Sequence, residues 1–209
     1  MVPKKFLLDL NPKDSKHGGL GVKITELLEE SAKIKEELCE QASELEKIEK
    51  TAKAIVKALK NRRKVVLFGN GGSAADAQHI ACELAGKFKK KRCGLPAISL
   101  TTNTSALTAI ANDYGYDEVF STQVEGIVNK GDIVVGISTS GKSSNVIKGI
   151  KAAKKRGAIT IGLAGAQGAE LAKVADICIR VPSNDTPRIQ EAHITIGHII
   201  CQLVEERLF

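Results

Sequence analysis

Apolar positions recur along this chain in two rhythms. Over residues 22–59, Ile24, Leu27, Leu28, Ile34, Leu38, Leu45, Ile48, Ala52, Ile55, Val56 and Leu59 return every three or four positions among Glu and Lys. That spacing predicts two helices or one long one, with an apolar stripe to bury in the core or against another subunit. From Lys64 onward, short β-branched runs predict strands at 64–68, 97–100, 131–135, 158–163 and 176–181. Helical spacing returns at 74–86, briefly at 106–111, then at 143–155 and 187–207. Strands alternating with helices, with glycine-rich turns between them, predict a parallel sheet with helices on both faces. Residues 1–20, polar and broken by Pro3, Pro12, Gly18 and Gly19, read as a tail. The remainder, 21–209, reads as a single domain that includes the N-terminal helices.

One turn dominates this pattern. Gly136-Ile137-Ser138-Thr139-Ser140-Gly141-Lys142-Ser143 joins the third strand to a helix. Backbone N–H groups and partial positive charge collect at a helix N-terminus, and four hydroxyls (Ser138, Thr139, Ser140, Ser143) surround the same spot. The stretch is suited to a phosphate. It also fits the nucleotide-binding pattern G-x-x-x-x-G-K-[ST]. Against a nucleotide stand the hydroxyl-filled middle of the loop and the later strands, which end without a magnesium-holding acid. No nucleotide cofactor is expected.

A second glycine turn, Gly69-Asn70-Gly71-Gly72-Ser73, follows the first strand. It approaches the dinucleotide pattern G-x-G-x-x-G, but Ala74 holds the third glycine position and no acid ends the next strand. A sugar or phosphate meeting bare backbone at Gly71 and Gly72 fits better. Ser73 is open to two readings, a helix cap or a ligand contact. Asn112 and Asp113, expected in a loop after the short helix, lie where parallel strands present their carboxyl ends to ligands.

Composition adds limits. No apolar run is long enough to cross a membrane as a helix, and Asp9 interrupts the short Phe6-Leu7-Leu8 patch. Five scattered cysteines without a C-x-x-C pair favour reduced thiols and a cytoplasmic location. The net charge of +7 is densest at 87–92, which reads as a solvated helix end rather than a nucleic-acid site.

Two side-chain pairs could carry chemistry. His79 and Glu83 stand at i and i+4 on one helix face, and Gln190 and His198 share a face of the last helix. Each pair has an ordinary alternative: a surface ion pair for the first, a core-edge histidine for His198. His17 and His193 read as ordinary histidines. Beside two anion-friendly turns, such pairs suit proton transfer on a phosphorylated carbonyl compound.

Taken together, Gly69-Asn70-Gly71-Gly72-Ser73, His79-x-x-x-Glu83-Leu84, Asn112-Asp113-Tyr114-Gly115, Gly136-Ile137-Ser138-Thr139-Ser140-Gly141 and Arg188-Ile189-Gln190-Glu191 with His198 resemble the phosphoheptose isomerases. These are sugar isomerase (SIS) domain enzymes, and the resemblance runs from about residue 22 to the end. It implies a three-layer αβα sandwich with a flavodoxin-like five-stranded sheet, and a homotetramer with active sites between subunits. The implied activity converts sedoheptulose 7-phosphate to D-glycero-D-manno-heptose 7-phosphate through a cis-enediol, the first step of ADP- or GDP-heptose precursor synthesis. By resemblance, Glu83 is the base and His198 the acid/base partner. Ser138, Thr139, Ser140 and Ser143 hold phosphate, while Asn70, Gly71, Gly72, Ser73, Glu83, Asn112, Asp113 and Gln190 contact the sugar. A zinc ion on His79, Glu83, Gln190 and His198 is implied, able to polarise the carbonyl. The chain has Lys87 where the family often carries arginine, and Lys142 where asparagine is common. The alternative is a non-catalytic SIS tetramer that binds a replication initiator or senses sugar phosphates.

Overall fold

Alternation along the strands sets the layers. In β1 (Val65–Gly69), Val65 and Leu67 face one side of the sheet, Val66 and Phe68 face the other, and all four are buried. β3 (Ile133–Ile137) is buried throughout, and β4 (Ile159–Ala164) almost throughout. Strands apolar on both faces belong inside a parallel sheet covered by helices. With β2 (Ala97–Ser99) and β5 (Ile177–Arg180) they form a five-stranded parallel sheet in the order β2-β1-β3-β4-β5. This is the flavodoxin-like doubly wound order.

The structure is a computed structural model that describes residues 20–209. One face of the sheet carries α1 (Leu20–Cys39), α2 (Ala42–Lys60), α3 (Gly72–Ala85) and α8 (Thr186–Leu208), whose Ile34, Ile55, Ile80 and Ile196 pack with Leu67, Ile137 and Ile161. The other carries α4 (Thr104–Tyr114), α5 (Ser121–Ile127), α6 (Ser144–Lys155) and α7 (Ala169–Val174), where Phe68 stacks on Phe120 at 4.8 Å between ring centroids. The predicted three-layer αβα sandwich is the observed architecture.

The stretch at 22–59 is two helices, broken at Glu40 and Gln41. α1 buries Ile34 and Leu38 but leaves Val22, Ile24, Leu27 and Leu28 exposed on this single chain. α5, α7 and a 3-10 turn at Tyr116–Glu118 were not expected, being too short to show a period. The tail predicted at 1–20 lies outside the described residues, as does His17, except that Leu20 opens α1.

Three local expectations are corrected. Asn112 and Asp113 are not in a loop but in the last turn of α4, because Asn103 accepts the Ala106 N–H and starts the helix early, and Gly115 at φ +92° ends it late. Ser73 does not cap α3. Gly71 at φ +54° turns the chain, the helix starts at Gly72, and Ser73 is buried within its first turn. The basic run at 87–92 is not wholly solvated, since the Arg92 side chain is 1 % exposed. Its Nε bonds Glu205 at 2.7 Å, and its two terminal nitrogens bond the carbonyls of Glu83, Leu84 and Gly86 at the end of α3. The backbone N–H groups of Phe88, Lys89 and Lys90 close on the same Glu205 carboxylate.

Candidate active site

The parallel register pairs Gly69 with Ile137, so the turns after β1 and β3 leave the sheet side by side. The chain goes from β1 outward to β2 and then crosses back to β3. At such a reversal of strand order, open α/β sheets form the crevice in which ligands bind.

The serine-rich turn supplies one wall. Ser138 is buried, its N–H bonded to the Leu163 carbonyl and its Oγ 2.9 Å from Ser143 Oγ. Gly141 sits at φ +66°, where an added Cβ would lie 2.4 Å from Gly168 Cα, so only glycine fits this corner. Among the described residues, the amides of Thr139, Ser140, Ser143 and Ser144 have no acceptor, and all lie at or just before the start of α6. Such unpaired amides beside serine hydroxyls are suited to an anion. Gly136, which would open a nucleotide-binding loop, lies inside β3 against Ile150 and Val146.

The glycine turn supplies the facing wall. Asn70 is held by Asn145 of α6 and by Tyr116, and Gly72 lies against the last helix: a Cβ there would meet the Gln190 carboxamide at 2.4 to 2.7 Å. Asn112 and Asp113 are exposed, and Asn112 Nδ2 donates to Asp113 Oδ1.

Farther along the same two helices, three partly exposed side chains converge. His79 Nε2 is 3.1 Å from Glu83 Oε1 and 3.2 Å from His198 Nε2, the rings meeting edge to face. Phe88 packs on the His198 ring at 5.6 Å between centroids. Glu83 is anchored at its carbonyl by Arg92, and its Oε2 accepts no hydrogen bond from the described residues. Three lone-pair atoms within 4.8 Å of one another suit a divalent cation. At tetrahedral zinc, bonds of about 2.0–2.1 Å hold ligand atoms roughly 3.3 Å apart, close to the spacings here. Gln190 rests against Gly72, about two helical turns before His79, and makes no hydrogen bond to the trio.

Two further ionisable groups lie on α3 and α8, Asp76 half-buried and His193 buried. Burial raises the Asp76 carboxyl to about 6, with the neighbouring His79 pulling it down, and its Oδ2 has no hydrogen-bond partner among the described residues. His193 of α8 is fully buried, and burial pushes its imidazole down to about 4, against a smaller opposite pull from the Ala164 carbonyl. Neither of its ring nitrogens makes a well-formed hydrogen bond to the described residues.

The SIS domain family matches residues 27–165. The phosphoheptose isomerase of Sulfurimonas denitrificans is 52% identical over 89% of this chain and 95% of its own length, and that of Aliarcobacter butzleri is 58% identical over 78% and 86%. The chain belongs to the phosphoheptose isomerase family. Among solved structures, phosphoheptose isomerase GmhA from Neisseria gonorrhoeae superposes with a TM-score of 0.83 at 42% identity, covering 90% of this chain and 99% of that one. In this member of the phosphoheptose isomerases, most of the predicted residues fall into three groups, with Asn112 and Asp113 apart in α4 and Gln190 against Gly72. Asn70, Gly71, Gly72 and Ser73 line one turn, Ser138, Thr139, Ser140 and Ser143 the other, and His79, Glu83 and His198 cluster between α3 and α8. Sequence reasoning missed Asn145, Tyr116, Asp76, Arg92 and Glu205. A polar residue beside Val146 on the buried face of α6 was the one available signal for Asn145. Nothing local links Arg92 to Glu205, 113 residues away.

Proposed function

We propose that this protein is an aldose–ketose isomerase that interconverts sedoheptulose 7-phosphate and D-glycero-D-manno-heptose 7-phosphate. The observation that carries the reading is the convergence of His79, Glu83 and His198 beside an anion-binding turn, in a chain 52 to 58% identical to proteins named phosphoheptose isomerase. The adaptor and sensor readings have no observation of their own to favour them.

The turn at Ser138, Thr139, Ser140 and Ser143 takes the phosphate, whose charge suits unpaired amides at the start of α6. Asn70, Gly71, Gly72, Ser73, Asn112, Asp113 and Gln190 bind the sugar hydroxyls. The free Oε2 of Glu83 takes the C1 proton of the open-chain ketose, exchanges it with solvent and delivers a proton to C2. His198 moves a proton between O1 and O2 as the enediol forms and collapses. His79, Glu83, Gln190 and His198 would hold zinc, which when bound polarises the substrate carbonyl. The rest of the reading is a cytoplasmic homotetramer with active sites shared between subunits. Exposure of Val22, Ile24, Leu27 and Leu28 on α1 supports an assembly.

Proton NMR of sedoheptulose 7-phosphate with the protein in D₂O tests the reaction. Formation of the aldose with deuterium at C2 is the expected result. Absence of both product and exchange at C1, with folded zinc-loaded protein, would overturn it.

A further inference from the structure

Asn70 lies in the turn proposed to bind the sugar, yet most of its hydrogen-bonding capacity is used inside the protein. Its Nδ2 donates to Asn145 Oδ1 at 2.9 Å, and its Oδ1 accepts from Asn145 Nδ2 at 2.9 Å. Its Oδ1 also accepts from the Tyr116 hydroxyl at 3.0 Å. A carboxamide oxygen has two lone pairs and the nitrogen two protons. Both lone pairs of Asn70 Oδ1 are therefore taken, and one N–H remains.

The direction of this pairing is fixed from the α6 side. Asn145 is 3 % exposed, and its Oδ1 also accepts the Val146 backbone N–H at 2.9 Å. A backbone N–H can only donate, so Asn145 cannot flip its carboxamide without leaving that group unpaired in a buried place. With Asn145 locked, Asn70 is locked in turn. The turn after β1 is thereby tied to the helix that begins at the serine-rich turn.

We infer that Asn145 is a positioning residue for the isomerase: it holds the Asn70 carboxamide so that a single N–H, and no acceptor, faces the ligand. The partner of that N–H is an oxygen of the sugar, a hydroxyl or the carbonyl. This inference rests on the isomerase reading for its kinetic consequence, while the pairing itself can be read without turnover.

Two measurements test it. The first is a double-mutant cycle on kcat/KM for sedoheptulose 7-phosphate, using Asn145→Ala, Asn70→Ala and both together. Each single change is expected to lower kcat/KM about tenfold or more, the scale of one lost hydrogen bond of roughly 1.4 kcal/mol. The double variant should fall less than about twofold below Asn70→Ala, because Asn145 acts through Asn70. Losses that multiply would overturn the inference. The second uses Asn145→Asp, which is isosteric and keeps both acceptor bonds of Oδ1 while removing the donor to Asn70 Oδ1. The side-chain amide resonances of Asn70 in a ¹⁵N-correlated spectrum should shift in this variant, and unchanged resonances would overturn the pairing. If the wild type fails to turn over the sugar yet those resonances shift, the isomerase reading falls and the positioning of Asn70 by Asn145 stands.

Discussion

His79 of α3 and His198 of α8 point their Nε2 atoms at each other across 3.2 Å, while Glu83 Oε1 stands 3.1 Å from the same His79 nitrogen. Without a cation, one N–H would have to serve two acceptors at once. A bound metal ion would accept all three lone pairs.

Zinc binding should depend on this pair. Elemental analysis of purified protein is expected to give one zinc per chain, and His79→Ala should weaken zinc roughly 100-fold or more in a chelator competition, since even outer-sphere changes cost about 10–100-fold. Unaltered zinc affinity in His79→Ala would argue that the trio is an ordinary polar cluster.

Glu83→Gln keeps the size of the side chain and removes its capacity to take a proton. Turnover should fall by about 10²–10⁴, the usual contribution of a positioned base. Far-UV circular dichroism should stay unchanged, because Glu83 is held by Arg92 at its carbonyl and not at its carboxylate. Near-normal turnover would remove Glu83 from the proton-transfer step.

Gly72→Ala would place a methyl 2.4 to 2.7 Å from the Gln190 carboxamide. Gln190 can swing away, so stability should change by less than about 1 kcal/mol, since the clash is with the free end of a side chain. KM should rise severalfold as Gln190 loses its place beside the glycine turn. A large loss of melting temperature with unchanged KM would contradict this assignment.

His193 predicts a pH dependence of stability. Burial lowers its folded value from 6.5 to about 4, so the unfolded chain binds the extra proton between these limits. Its contribution is present above about pH 6.5 and is lost as pH falls toward 4. Denaturant titrations from pH 7.5 to 4.5 should show stability falling, and His193→Leu should flatten that slope. At neutral pH the substitution should cost within about 1 kcal/mol, because both ring nitrogens lack a good partner. An unaltered slope would mean that another group carries the dependence.

The sheet, the two glycine- and serine-rich turns and most of the candidate chemistry are legible in local sequence. Unbroken β-branched runs such as Val65-Val66-Leu67 belong in a parallel sheet buried on both faces, and the glycines and serines after β1 and β3 mark the two turns that leave the sheet side by side. These are local signals, carried within a few residues of one another. His79 and Glu83 were legible together because one helical turn joins them.

Contacts between elements come from the packing of the whole chain. It set His198 against His79, packed Gln190 on Gly72, locked Asn70 with Asn145 and wrapped residues 88–92 around Glu205. It also moved Asn112 and Asp113 into α4 and left part of α1 uncovered. The reason is physical: partners 75 to 119 residues apart meet only once the sheet has set the strand order and the helices have packed on it. No local propensity or periodicity encodes that meeting.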